Sequence, residues 1–108
     1  MIICNITMNI DESIHSEWLE WIKEHILQIL ATSLFTKVIL MKVLVDEDTG
    51  GLTYSVQYYV NSNLDLEVSQ NKYYSDLQSI AIKRFGDKML IFSTELELIE
   101  EFKFIKSQ

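Results

Sequence analysis

The sequence predicts an α+β domain, one antiparallel four-stranded sheet with two helices on one face. Three observations point there. Residues 1–10, 52–61 and 88–98 alternate in character along the chain, with the period of a strand buried on one side. Residues 36–45 form a nearly continuous apolar run rich in β-branched side chains. Two intervening stretches, 14–30 and one ending at Phe85, repeat apolar residues at helical spacing. The order is therefore βαββαβ, the ferredoxin-like arrangement. Right-handed crossovers and a central hairpin put the first and third strands in the middle of such a sheet.

Each element has its own signature. In the first strand Ile2, Cys4, Ile6, Met8 and Ile10 share one face, and Ile3, Asn5, Thr7 and Asn9 the other. Asp11 and Ser13 are candidate caps for the first helix, with Glu12 and Glu17 suited to its dipole. Along that helix Ile14, Trp18, Trp21, Ile22, His25 and Ile29 fall on one arc, opposite Ser16, Glu20, Lys23 and Glu24. The run 36–45 reads as a strand covered on both faces. Residues 46–51, Asp-Glu-Asp-Thr-Gly-Gly, read as a hairpin turn. In the third strand Leu52, Tyr54, Val56, Tyr58 and Val60 alternate with Thr53, Ser55, Gln57, Tyr59 and Asn61. Ser62 or Asn63 can cap the second helix, whose inner face collects Leu66, Tyr73, Tyr74, Leu77, Ile80 and Ala81, and Gly86 stops it. The last strand sets Leu90, Phe92, Leu96 and Leu98 on one side. Residues 99–108 form a tail compatible with strand, short helix or fraying. The whole chain, 1–108, is expected to be a single domain.

Composition removes several functions. The chain carries 9 Lys and Arg against 16 Asp and Glu, a net charge of −7, and its basic residues are scattered. Nucleic acid is therefore not an expected partner. No apolar stretch is long enough to span a bilayer, and residues 1–12 lack the positive charge of a signal peptide. The single cysteine, Cys4, reads as a small core residue in a cytoplasmic protein. Only 3 glycines occur, so a Gly-rich phosphate cradle is not available, and no nucleophile elbow or dinucleotide fingerprint is found. No cofactor is expected.

Several stretches resemble an uncharacterised bacterial family of domains of unknown function, of the DUF4286 type. They are Asp11–Trp18, His25-Ile26 followed by Leu30-Ala31-Thr32, Thr49-Gly50-Gly51, Tyr54–Tyr58 and Arg84-Phe85-Gly86. The resemblance spans nearly the whole chain. A proline commonly follows the His-Ile pair in that family; Leu27 stands here, so the first helix is expected to run on. The resemblance implies a ferredoxin-like fold of the kind seen in dimeric α/β barrels, and no established activity.

The chemistry-bearing residues are few. His15 and His25 are ten apart, about 15 Å along a helix, and cannot share a metal ion. His25 lies mid-stripe and reads as a core histidine, while His15 sits at the stripe edge, nearer a pocket mouth. The acidic turn lacks the calcium-loop ligands at Gly50 and Gln57, so no metal site is expected. Arg84, in the last turn of its helix, is suited to bond the final carbonyls.

The uncovered sheet face is the informative feature. Its centre carries Asn5, Thr7, Gln57 and Tyr59, and these with His15 are the candidate ligand-facing residues. Its flanks are expected to be apolar, through Ile39, Met41 and Val43 on one outer strand and Met89 and Ile91 on the other. That pattern suits a homodimer closing two sheets over a polar space, with a structural or small-ligand-binding role. An enzyme like the small dimeric-barrel monooxygenases or isomerases is an alternative resting on fold analogy. An acidic adaptor or regulator is another.

Overall fold

The computed structural model describes residues 1–44, 51–61 and 73–105. Strand β1 (Ile2–Asp11) leads through a 3-10 turn (Glu12–Ile14) into helix α1 (His15–Leu30). Strands β2 (Phe35–Lys42) and β3 (Gly51–Val60) follow, then helix α2 (Ser75–Phe85), a second 3-10 turn (Gly86–Lys88) and β4 (Met89–Glu97). The sheet order is β2-β3-β1-β4 and every neighbouring pair is antiparallel. This is the expected βαββαβ topology, with β1 and β3 central.

The alternation of β1 and β3 decides which side is core. Ile6, Met8 and Ile10 join Val56 and Tyr58 beneath Trp18, Ile22, Leu77 and Ala81 in one cluster of buried residues. Both helices therefore cover the same face. Asp11 caps the 3-10 turn that leads into α1, accepting a hydrogen bond from the Ser13 amide at 2.9 Å, and that bond holds the Asp11 carboxyl below its usual pKa; α1 itself starts after Ile14 with no side-chain cap. α1 continues through Leu27 to Leu30 without a break, as expected. Gly86 ends α2 at φ +61°, a conformation that side chains resist and glycine tolerates. Gly51 leaves room for its neighbour: a Cβ there would come within 2.8 Å of the Asn9 side-chain oxygen.

Three expectations are corrected. β2 is not covered on both faces. It is an edge strand paired to β3 alone, and only Phe35 within it is fully buried. The helices shield one side of it, and among the described residues no element packs as a layer on the other, so its apolar run reflects two half-covered faces. The phase of β4 is also opposite to the one expected for the open flank. Ile10 pairs with Met89 and Met8 with Ile91, so these two face the helices, while Leu90, Phe92 and Leu96 share the open face with Asn9, Thr7 and Ile3. Ile80 lies outside the buried arc of α2 and is exposed, whereas Phe85 is buried. Residues 98–105 form neither strand nor helix. Residues 46–50 of the expected 46–51 turn, the caps Ser62 and Asn63, and Leu66 lie outside the described residues, and Gly51 opens β3.

Trp18 is wholly buried and its ring lies 4.8 Å from that of Tyr54 on β3. Removing a buried aromatic of this size leaves a cavity, so Trp18→Ala is expected to cost about 3–5 kcal/mol. Urea denaturation followed by circular dichroism measures it; an unchanged midpoint would mean that α1 does not rest on the sheet through this side chain.

Candidate functional site

The open face is organised in rows running across the strands. Tyr59, Ile3 and Leu96 form the first, Ile39, Gln57, Asn5 and Thr94 the second, and Met41, Ser55, Thr7 and Phe92 the third. Thr53, Asn9 and Leu90 make the fourth, with Val43 joined to it through its amide bond to the Thr53 carbonyl. Each row ends on an outer strand, and from the second row on its centre is polar.

Those central side chains bond one another. Ser55 donates to the Asn5 side-chain oxygen at 2.6 Å, and the Asn5 amide donates to the Thr7 hydroxyl at 3.3 Å. The Asn9 amide donates to the Thr53 hydroxyl at 3.0 Å. Half-buried polar groups that satisfy each other carry little desolvation penalty and form a preset floor. Lys37 places its ammonium 4.4 Å above the Tyr59 ring at the edge of the first row. Within these rows Lys37 and Tyr59 are the titratable side chains, and the floor otherwise offers neutral donors and acceptors. Such a surface suits hydrogen bonding to an uncharged polar group better than proton transfer, which needs a group poised near neutrality.

Four of the five sequence-predicted site residues thus meet on one face: Asn5, Thr7, Gln57 and Tyr59. His15 is not among them. It lies on the helix side, where its Nε2 is 2.7 Å from the Tyr54 hydroxyl and its ring stacks on the Tyr54 ring at 5.8 Å. The sheet itself separates His15 from the other four.

Two further features were not expected from the sequence. The first is a ring stack in which His25 lies between Trp21, at 5.5 Å, and Tyr73, at 5.3 Å. Tyr73 donates to the Tyr58 hydroxyl at 2.5 Å. Burial raises the pKa of both phenols, so they remain protonated donors and acceptors, not bases. The second is a cleft of about 280 Å³ beside the stack, between α1 and α2, lined by Trp21, Glu24, His25, Gln28, Ile80 and Arg84. Arg84 there reaches Glu17 on α1 at 3.3 Å, a helix-to-helix pair in place of the expected bond to its own terminal carbonyls. A cross-strand or cross-helix partner is invisible to spacing along the chain, which is why neither feature was anticipated. Cys4 is buried, and burial followed by the nearby Glu95 charge pushes its thiol up to about 11, so it is not a nucleophile at neutral pH. Among the described residues no three His, Cys, Asp or Glu side chains converge to hold a metal ion, and no helix is long and apolar enough to cross a membrane.

An antiparallel sheet with both helices on one face and a hydrogen-bonded polar centre on the other defines a ferredoxin-like α+β protein. The chain belongs to the family described as Domain of unknown function (DUF4286), whose model matches residues 1–99. No curated protein matches it.

Burial holds the His25 imidazole below its ordinary pKa of 6.5, in surroundings that include Glu24, Arg84 and Tyr73. As pH falls through that value the unfolded chain takes up a proton that folded His25 resists, so stability falls with it. His25→Phe keeps a ring in the stack and removes the proton. Between pH 7 and pH 5.5 its urea midpoint is expected to fall less than that of the wild type; parallel declines would show that folded His25 protonates as freely as in the unfolded chain.

Proposed function

We propose that this chain, as one domain over residues 1–108, is a cytoplasmic homodimer of the dimeric α/β-barrel kind. Its two open sheet faces close on each other over a compartment floored by Asn5, Thr7, Gln57 and Tyr59. The role is structural or ligand-binding, and the ligand the floor suits is a small uncharged polar molecule. One observation carries the reading: the open face is apolar at its edges and polar at its hydrogen-bonded centre. Phe92 is 60% exposed and Leu90 57%, with Met41 at 38% across the sheet. Apolar side chains clustered on one face in this way usually mark an interface.

A second copy is the occupant that the face itself favours. Its four rows measure about 27 Å along the strands and about 19 Å across them. That flat footprint of about 500 Å² grows with side-chain relief toward the roughly 800 Å² per partner that stable complexes bury. Two copies related by a two-fold axis bring apolar edges onto apolar edges and leave the two polar centres facing each other. The lone buried Cys4 supports the reducing, cytoplasmic setting. The scarcity of titratable groups on the floor favours binding over the monooxygenase-like or isomerase-like alternative.

Sedimentation equilibrium at micromolar concentration tests the reading. The wild type is expected at twice the chain mass of 12.7 kDa. Phe92→Glu, which places a charge in the apolar edge and leaves the core untouched, is expected to weaken the dimer at least about 30-fold, as for an interfacial hot spot. A wild type at the mass of one chain would overturn the proposal, and a Phe92→Glu variant as dimeric as the wild type would move the interface to another face.

A further inference from the structure

Beyond β4 the chain continues as an irregular segment that keeps its apolar side chains in solvent. The Leu98 amide still donates to the Met1 carbonyl at 2.8 Å, but residues 98–105 carry no regular secondary structure. Phe102 is 83% exposed and Phe104 93%. An aromatic side chain buries about 150–250 Å² when covered, so leaving two such rings in water is a large unfavourable area for so short a segment.

The direction of this arm is informative. Leu98, Glu100, Glu101 and Phe102 line a groove of about 630 Å³ whose other wall is Met1, Ile3, Thr36, Lys37 and Tyr59. The arm therefore leaves β4 on the open-face side and crosses the first row toward β2. The groove opens between the arm and part of that row, while Ile3 at the row's centre is itself buried. It also runs at the end of the sheet opposite to Leu90, which pairs with Asn9. The exposed rings of the arm and the exposed apolar side chains of the far rows thus belong to the same face of the same chain, at opposite ends, and do not cover each other.

We infer that residues 98–105 are an exchanged arm, each arm lying across the far end of a second copy's open face. The inference deepens the face-to-face reading and rests on it. When two open faces meet about a two-fold axis that lies between the sheets and crosses the strands, the first row of one copy comes over the fourth row of the other. Each arm then spans the partner copy's end from Leu90 toward Met41 and Val43, with Phe102 on the β2 side. One operation covers both sets of exposed apolar side chains reciprocally, which a closed dimer requires. The arms also shut the two ends of the space between the sheets, which the sheets alone leave open.

The test replaces Phe102 with the photo-crosslinking residue p-benzoylphenylalanine in otherwise full-length chain. Ordinary and ¹⁵N-labelled protein are mixed, allowed to exchange subunits, irradiated and digested for mass spectrometry. Adducts between light and heavy chains, joining position 102 to the peptides that carry Met41 or Val43, are expected. Adducts confined to a single chain, or inter-chain adducts at other sites, would overturn the inference. The double variant F102S/F104S, which touches no core residue, is expected to raise the dimer dissociation constant at least about 30-fold. A dimeric wild type with an unchanged constant in F102S/F104S would remove the arm and leave the face-to-face dimer standing. A monomeric wild type would remove both.

Discussion

Strand β1 is hydrogen-bonded on both sides, to β3 through Ile3–Asp11 and to β4 through Ile2–Ile10. That double pairing allows no slip, because moving the strand by one residue would carry Ile6, Met8 and Ile10 out of the core and bring Asn5, Thr7 and Asn9 in. Three buried amide or hydroxyl side chains without their present partners would each cost about 1–3 kcal/mol. The register of one strand therefore assigns every residue of the sheet to either the dry side or the open side. The positions of the helices, the polar floor and the apolar edges all follow from it.

The two sides are built by different physics. On the helix side the polar atoms are few and embedded in aromatic surface: the Tyr58 and Tyr73 hydroxyls satisfy each other, and His15 is held by Tyr54. Among the described residues the Trp18 indole N–H and the His25 Nε2 are buried without a hydrogen-bond partner. His25 is more readily understood, since a neutral imidazole stacked between two rings loses less than a charged one would. On the open side the Ser55–Asn5 and Asn9–Thr53 bonds run strand to strand and the Asn5–Thr7 bond runs along β1, all of them near solvent. The helix side accounts for stability. The open side, with its apolar edges, is the face on which the proposed dimer rests.

Much of this was legible in the sequence because period two and period 3.6 are strong signals in β1, β3 and α1. Asn5, Thr7, Gln57 and Tyr59 could be placed on one face from alternation alone. The failures share a cause. In 89–92 the residues are Met, Leu, Ile and Phe, and such a run has no polar member to mark which side is wet; only the pairing of Ile10 with Met89 decides it. In β2 the same ambiguity suggested burial on both faces, although an edge strand with two half-covered sides has the same composition. By its place at the edge of the apolar stripe, His15 groups with the floor on spacing alone. Its partner Tyr54 lies 39 residues away, and spacing carries no trace of such a contact. Arg84 and Glu17 are separated even further along the chain, by 67 residues.

The central claim is that the open face is an interface between copies of this chain, and hydroxyl-radical footprinting reads it side chain by side chain. Oxidation of Phe92, Leu90 and Phe102 would be followed as the protein is diluted from tens of micromolar to nanomolar concentration. Solvent-facing Ile82 on α2, 62% exposed, serves as the internal reference. The account predicts that the three residues are protected at high concentration and become reactive together on dilution, while Ile82 does not change. Reactivity of Phe92 and Leu90 that is high and independent of concentration would contradict it.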